Sequence, residues 1–495
     1  MVEFIDRHST MYELKKNIYF FYLSLVLEFF FPMLDEDTIV ALATPMGSSA
    51  ISVIRISGNN SISTVETIFV SVISGKKLEN QSTHTLHLGS IVDENVLLDQ
   101  VLVSIFRSPS SYTGENMIEI SCHGSYYIQQ KILQLLIKKG LRLARPGEFT
   151  FRAFLNKKVD LSQAEAIADL ILSENQADHE ISLQQIKGSL THTIKNLRKK
   201  LLDFASLLEL ELDFSEEDVI FAKRSELFSF LKDLEKTLKD LIESFSLGNA
   251  IKKGIYVAII GEPNVGKSTL FNYVIKENRS IISHIEGTTR DSIEGEFVLN
   301  GIHFHFVDTA GIRETKDPIE IMGVQKTMEK IQESQVLLYL FEASTKEKKK
   351  QKKILHEIQL LHKKYPLKKI LAIANKSDVS SFKDFYKIKS KIPYFFEISA
   401  KNHHGIKKML YTLSNLFIKK LQEKNIIVTQ NRHYEALKKS LEEVFLAHEA
   451  FNKRVSEDLI SIHIKEALRY LGEITGEITN EEILKNIFSK FCIGK

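Results

Sequence analysis

Between Ile260 and Thr269 stands Gly261-Glu262-Pro263-Asn264-Val265-Gly266-Lys267-Ser268, the spacing G-x-x-x-x-G-K-[ST]. Such a loop wraps backbone N–H groups around a β-phosphate at a helix N-terminus; Lys267 then supplies a point charge to the β/γ oxygens, and Ser268 a hydroxyl to Mg²⁺. Thr269 continues into the helix. Farther along, Gly287-Thr288-Thr289-Arg290-Asp291 offers the Thr289 hydroxyl to Mg²⁺ and to a γ-phosphate, and Asp308-Thr309-Ala310-Gly311 brings a carboxylate for the metal's outer shell and a glycine N–H. Asn375-Lys376-Ser377-Asp378 places a carboxamide and a carboxylate where guanine's ring N–H and exocyclic amine are read, and Ser399-Ala400-Lys401 closes over the base. Adenine would leave that carboxylate unpaired, so the pattern points to GTP.

One expected group is missing. Regulatory GTPases of the Ras type place a water-orienting glutamine directly after D-x-x-G, where this chain has Ile312. Asn264 and the stretch Ser283-His284-Ile285-Glu286-Gly287-Thr288, rich in carbonyls, are candidates to hold a monovalent cation near the β/γ bridge, with a nearby acid to position water.

These motifs need strands that end at them and helices that start from them. Ile255 to Ile260, Phe304 to Val307, Val336 to Phe341 and Ile370 to Ala374 read as strands alternating with helical runs, the grammar of a doubly wound α/β domain. Before it, Ser162 to about Leu247 keeps apolar residues three and four apart and predicts long packed helices; the helical pattern returns after Lys424. The α/β domain is therefore expected as an insertion into an all-helical one. From Asp37 to about Arg152, strands at Ile39 to Ala41, Ile51 to Ile56, Gln100 to Phe106 and Met117 to Ser121, with a helix over Tyr127 to Lys139, predict an α+β domain. The expected boundaries are 1–32 for an extension, 33–152, 153–250, 251–423 and 424–495. The run Lys346 to Lys353 reads as a solvated loop, because no aromatics interleave it.

The 495 residues suit about three domains. With 43% hydrophobic and 26% charged residues, the composition excludes a disordered chain. A net charge of +3 supplies no chain-wide field for a polyanion, which must meet a local patch. Cys122 and Cys492 form neither a disulfide framework nor a metal spacing, so a reducing compartment is expected and Cys122 with His123 reads as structural. Cys492, close to a chain end where packing seldom needs a thiol, reads as functional. Ile18 to Phe31 is apolar but short for a membrane span and carries Glu28, so no stable insertion is expected and Met33 is the expected functional start.

From Met33 onward the chain resembles the MnmE (TrmE) family of tRNA-modification GTPases. The likeness rests on Arg55-Ile56-Ser57-Gly58, Ser111-Tyr112-Thr113-Gly114-Glu115, Cys122-His123-Gly124, the stretch Arg145 to Asn156 (RPGEFTFRAFLN), Asp160 to Ala166 (DLSQAEA) and the terminal Phe491-Cys492-Ile493-Gly494-Lys495. It implies a multidomain α/β protein: a dimeric N-terminal domain with a tetrahydrofolate-binding fold, and a helical domain interrupted by a Ras-like P-loop GTPase domain. It further implies a cytoplasmic homodimer that works with an FAD-containing partner of the MnmG/GidA family, in a heterotetramer or larger complex. Together they would add an aminomethyl or carboxymethylaminomethyl group at C5 of the wobble uridine of certain tRNAs. By the same resemblance Arg55, Glu119, Lys158 and Lys495 contact 5-formyltetrahydrofolate or a related folate. Asn264, Ser283, Ile285 and Thr288 hold K⁺, Ser268 and Thr289 hold Mg²⁺, Glu320 orients water, and Cys492 is the functional terminal cysteine. Met46 to Ser49, Ser283 and Lys157 depart from the family's usual residues. On the residues alone, Arg55 could equally be an ion-paired strand residue, whereas Glu119, in an apolar run, needs a partner that a pterin's amino edge could provide. A ribosome-assembly GTPase would share the nucleotide motifs but add an RNA-binding module, and none follows them; a pure switch protein would not need the N-terminal domain.

Overall fold

In the computed structural model of the chain, the structure describes residues 37–213, 224–278, 294–308, 331–343, 348–379, 392–424, 426–453 and 455–478, together with 484, 487–489, 491 and 494. Two compact units are present: Met1–Ala164 with Thr479–Lys495, and Glu165–Ile478.

The first unit is a seven-stranded sheet with helices packed on both of its faces. In chain order it runs β1 (Ile39–Leu42), β2 (Ser49–Ser57), α1 (Ser61–Glu66), β3 (Phe69–Ser71), β4 (Thr85–Asp93), β5 (Val96–Phe106), β6 (Met117–Gly124), α2 (Tyr126–Lys138), β7 (Arg142–Leu143) and α3 (Glu148–Leu155). The spatial order is β3-β4-β5-β6-β2-β1-β7, antiparallel except for the β1–β7 pair. Period-two alternation puts Val101, Val103 and Ile105 of β5 into the core beside Ile132 and Leu136 of α2. Strand β4 inverts the usual signal: His87 is buried while Leu86 and Leu88 are exposed. The chain's end joins this unit. Phe488 meets Phe151 edge-on at 5.0 Å and stacks on Phe491 at 5.7 Å, and Leu484, Ile487, Phe488 and Phe491 are all buried.

The second unit begins within α4 (Leu161–Leu172) and continues through α5 (Gln176–Ile186), α6 (Ser189–Asp213) and α7 (Arg224–Lys253). Then come β8 (Ile255–Gly261), α8 (Lys267–Asn278), β9 (Glu294–Leu299), β10 (Ile302–Asp308), β11 (Val336–Glu342), α9 (Lys348–Lys364), β12 (Lys369–Asn375), β13 (Phe395–Glu397) and α10 (Ile406–Glu423). Helices α11 (Asn431–Asn452) and α12 (Glu457–Thr475) close it. The sheet order is β13-β12-β11-β8-β10-β9, parallel except for β9. Both faces are covered, which is why β11 (VLLYLFE) and β12 (KILAIAN) are almost continuously apolar. One core joins the sheet to α8, α10 and the end of α7; α9 packs on the opposite face. Leu201 and Leu208 of α6, Leu231 and Leu238 of α7, Leu437 and Val444 of α11, and Ile464 and Leu471 of α12 form a separate helical core.

The expectation of a loop over Lys346 to Lys353 is corrected from Lys348 onward. Those lysines open α9, because Ile354 and Ile358 must reach the core at helical spacing and draw the preceding residues into the same helix. Among the described residues no helix is long and apolar enough to cross a membrane; Ile18 to Phe31 lies outside them.

Candidate functional site

Strand β8 ends at Gly261, and α8 starts at Lys267, so the intervening loop lies at the carboxyl edge of a parallel sheet, where such folds bind ligands. Val265 is buried and anchors the loop, while Asn264 on the loop and Ser268 and Thr269 in the first turn of α8 are exposed. Lys267 is buried, and its Nζ donates to the carbonyls of Gly261 and Glu262, both at 2.9 Å. At Gly266 (φ +95°) an added Cβ would lie 2.3 Å from Asn375 Nδ2, so only glycine lets the loop and the end of β12 approach this closely.

Asn375, 2% exposed, ties three loops together: Nδ2 donates to the Val265 carbonyl at 2.7 Å, and Oδ1 accepts the Ala400 N–H at 2.9 Å. Its carboxamide thus organises the pocket, leaving one N–H of the amide for a base. Asp378 Oδ1 accepts the Ser399 hydroxyl at 2.6 Å; that hydrogen bond holds the carboxyl below its ordinary value and keeps it ionised as an acceptor. Lys376, at φ +63°, lies 3.3 Å from Glu342, and Lys401 is exposed in the turn after Ala400. Asp308 ends β10 in register with Ile259 of β8. The expected positions Ser283, His284, Ile285, Glu286, Gly287, Thr288, Thr289, Thr309, Ala310, Gly311 and Glu320 lie outside the described residues, as do Cys492 and Lys495.

In the N-terminal unit, Arg55 on β2 faces Glu119 on β6 across the strands. Its Nε donates to Glu119 Oε1 at 2.9 Å, its Nη2 lies 2.8 Å from the same oxygen, and its Nη1 donates to the Gly494 carbonyl at 3.2 Å. The rings of Tyr112 and Phe149 lie 5.3 and 5.8 Å from the guanidinium. Burial raises the Tyr112 hydroxyl above its ordinary value. Glu119 is therefore not an isolated buried carboxylate as the apolar run suggested: its side chain is 25% exposed and Arg55 is its partner. Lys158 is exposed and donates to the Pro109 carbonyl at 2.9 Å. Burial pushes the Cys122 thiol up to about 11, so it stays protonated and packs as a core residue.

Two buried networks went unread in the sequence, although Glu115, Glu148, Arg152 and Glu165 among their members sit in the motifs that carry the family likeness. Arg152, 2% exposed, contacts Asp37 Oδ1 at 2.7 Å, Glu148 Oε1 at 3.1 Å and Glu115 at 3.2 Å, while Arg142 pairs with Asp37 and Glu148, each at 2.6 Å. Burial would raise the Glu148 carboxyl, but Arg142 and the Arg145 N–H outweigh it and the net shift is downward. In the second unit Glu165 receives Arg432 through two hydrogen bonds, 3.0 and 2.7 Å, and lies 2.7 Å from His433 Nε2. Arg432 also donates to the Glu473 and Ile474 carbonyls at the end of α12.

The family described as "MnmE helical domain" matches residues 161–492, and the one described as "GTP-binding protein TrmE N-terminus" matches 38–158. The chain is 53% identical over 464 residues to a protein of Flavobacterium psychrophilum named tRNA modification GTPase MnmE, covering 94% of this chain and all of that protein. A protein of the same name from Flavobacterium johnsoniae is 52% identical over 468 residues, again covering 94% of this chain and 100% of the relative. The solved structure of Era from Aquifex aeolicus bound to GDP.AlF4- is 27% identical over 39% of this chain and 67% of its own, with a TM-score of 0.24, too low to bear on the architecture.

Proposed function

Since the chain belongs to the MnmE family of tRNA modification GTPases, and is thus a GTP hydrolase acting in tRNA wobble modification, we propose that its hydrolysis is K⁺-activated and drives folate-dependent chemistry at C5 of the wobble uridine. The group installed is aminomethyl or carboxymethylaminomethyl, made together with an FAD-containing protein of the MnmG/GidA family. The observation that carries the GTPase half is the convergence of Val265, Asn375 and Ala400 through one amide, beside an ionised Asp378.

In the nucleotide site, Lys267 turns from the Gly261 and Glu262 carbonyls to phosphate oxygens, Ser268 gives its exposed hydroxyl to Mg²⁺ together with Thr289, and Asp378 accepts the N–H groups of guanine. Asn264 is exposed at φ +61° and fits the first oxygen ligand of K⁺, with Ser283, Ile285 and Thr288 completing the set. Held there, K⁺ would supply the positive charge of an arginine finger, and Glu320 would orient the water that Ile312 cannot.

The N-terminal residues suit a reduced folate. Glu119 Oε2 accepts nothing from the described residues, so it is open to an amino edge, and Tyr112 and Phe149 supply aromatic surface beside Arg55. The folate supplies the one-carbon unit; Lys158 and Lys495 add cations, and Cys492 serves the chemistry from the tail. A homodimer is supported by the outward face of the sheet, where Ile51, Val70, Leu86, Leu88 and Leu102 are exposed on the same side as Arg55 and Glu119. Boundaries at 33–152, 153–250, 251–423 and 424–495 and a cytoplasmic location go with this reading.

The test is mass spectrometry of wobble nucleosides in tRNA from a strain deleted for the gene. The modified uridine should vanish and return with the intact gene. Normal modification in the deletion strain overturns the proposal.

A further inference from the structure

Helix α9 reads KKKQKKILHEIQLLHKK, seven lysines against one glutamate, in a chain whose whole net charge is +3. Ile354 and Ile358 bury its inner side against the sheet. On the outer side Lys352, His356, Gln359 and Lys363 are exposed at steps of four, three and four residues, which is one face of a helix. Each is a hydrogen-bond donor, one per turn of about 5.4 Å, a repeat that a nucleic-acid backbone can follow. Lys352 and Lys363 have no ion-pair partner among the described residues; Lys353 is held by Glu262 at 2.7 Å and Glu357 at 3.7 Å. At the carboxyl end, Lys364 and Lys368 lie 5.2 and 5.6 Å from the Tyr365 ring, an aromatic flanked by two cations.

Helix stability does not account for the arrangement. Five of the seven lysines lie in the amino-terminal turns, where the helix dipole is positive and cations are unfavourable, while Lys363 and Lys364 stand in the last turn, where the dipole favours them. A polyanion laid along the helix offsets the unfavourable placement of the first group and engages the second.

We propose that the outer face of α9 docks the phosphate backbone of the tRNA substrate and contributes affinity without reading sequence. This rests on the reading of the protein as a tRNA-modifying enzyme. The experiment measures binding of the full-length protein to an in vitro transcript of a tRNA with uridine at the wobble position, as a function of salt. Lys352→Gln, Lys363→Gln and Lys364→Gln combined should lower the magnitude of the log–log salt slope by about 2–3 and weaken binding about tenfold or more near 0.1 M salt. GTP turnover should be unchanged, and the same three positions as arginine should retain the parent slope. An unchanged slope and affinity in the glutamine variant with normal turnover overturns the inference alone. So does retained tRNA binding with lost association with the FAD-containing partner, which would make this an acidic-protein face. If the parent protein itself fails to bind the transcript, the tRNA reading falls and takes this surface with it.

Discussion

Replacing Glu165 by glutamine removes one negative charge from a site where Arg432 and His433 both approach it and solvent is excluded. Burial alone would raise the Glu165 carboxyl, but His433 and Arg432 outweigh that and bring it down to about 2 from 4.5. At roughly 1.4 kcal/mol per pKa unit, the difference is worth about 3 kcal/mol of folding stability, in line with the roughly 3–5 kcal/mol expected when a buried ion pair loses one partner. Because the folded value is depressed, the contribution is complete above the unfolded value of 4.5 and is lost as pH falls through about 2. Amide hydrogen exchange isolates the effect. At neutral pH the opening free energies of α11 and the end of α12 should fall by about 3 kcal/mol in Glu165→Gln, and an acid titration should show a shallower loss of stability below 4.5 than in the parent. A change within about 0.5 kcal/mol, the range of an ordinary surface substitution, together with an unaltered acid slope, would refute the reasoning.

Turnover of GTP should need K⁺ and Mg²⁺; equal turnover in Na⁺ would remove the cation assignment. Glu320→Ala should slow hydrolysis by about 10²-fold or more with GTP affinity intact, as for a group acting in the transition state, and an unchanged rate would transfer the role to another acid. Asp378→Asn should turn base preference toward xanthosine triphosphate, read by competition binding; persistence of guanine preference would show that the Ser399-held carboxylate is not the base reader. Cys492→Ser should abolish wobble-uridine modification while sparing GTP hydrolysis, and loss of Phe491 to Lys495 should weaken 5-formyltetrahydrofolate binding, since the Gly494 carbonyl is a partner of Arg55. Normal modification by either variant in cells would exclude a catalytic tail.

The nucleotide loops were legible because their requirements are local: a glycine where a Cβ would strike Asn375, and a lysine and a hydroxyl at the first turn of a helix. Strand β4 was not legible, because its apolar residues Leu86 and Leu88 lie on the outer face while His87 is buried, so alternation marks the wrong side. Strand β9 follows a segment without clear strand spacing, and β13 is only three residues long. The partner of Glu119 depends on register between β2 and β6, which lie 64 residues apart at this pair, and no local pattern encodes it. The lysines of α9 misled because charge marks solvation well and backbone conformation poorly: lysine is a good helix former, and the deciding residues, Ile354 and Ile358, come after the run.

The hydrogen bond from Arg55 to Gly494 joins residues 439 positions apart. A ribosome adding about 5–20 residues per second needs roughly 20–90 s to deliver that length. The sheet of the N-terminal unit is made first, yet Phe151 waits through the synthesis of the entire second unit for the Phe488 ring that covers it. A nascent chain made only as far as residue 478 would already contain every nucleotide-binding loop and still lack the carbonyl that meets Arg55 and the ring that meets Phe151. Phe488 and Gly494 thus finish, late in synthesis, a face that the first strands began.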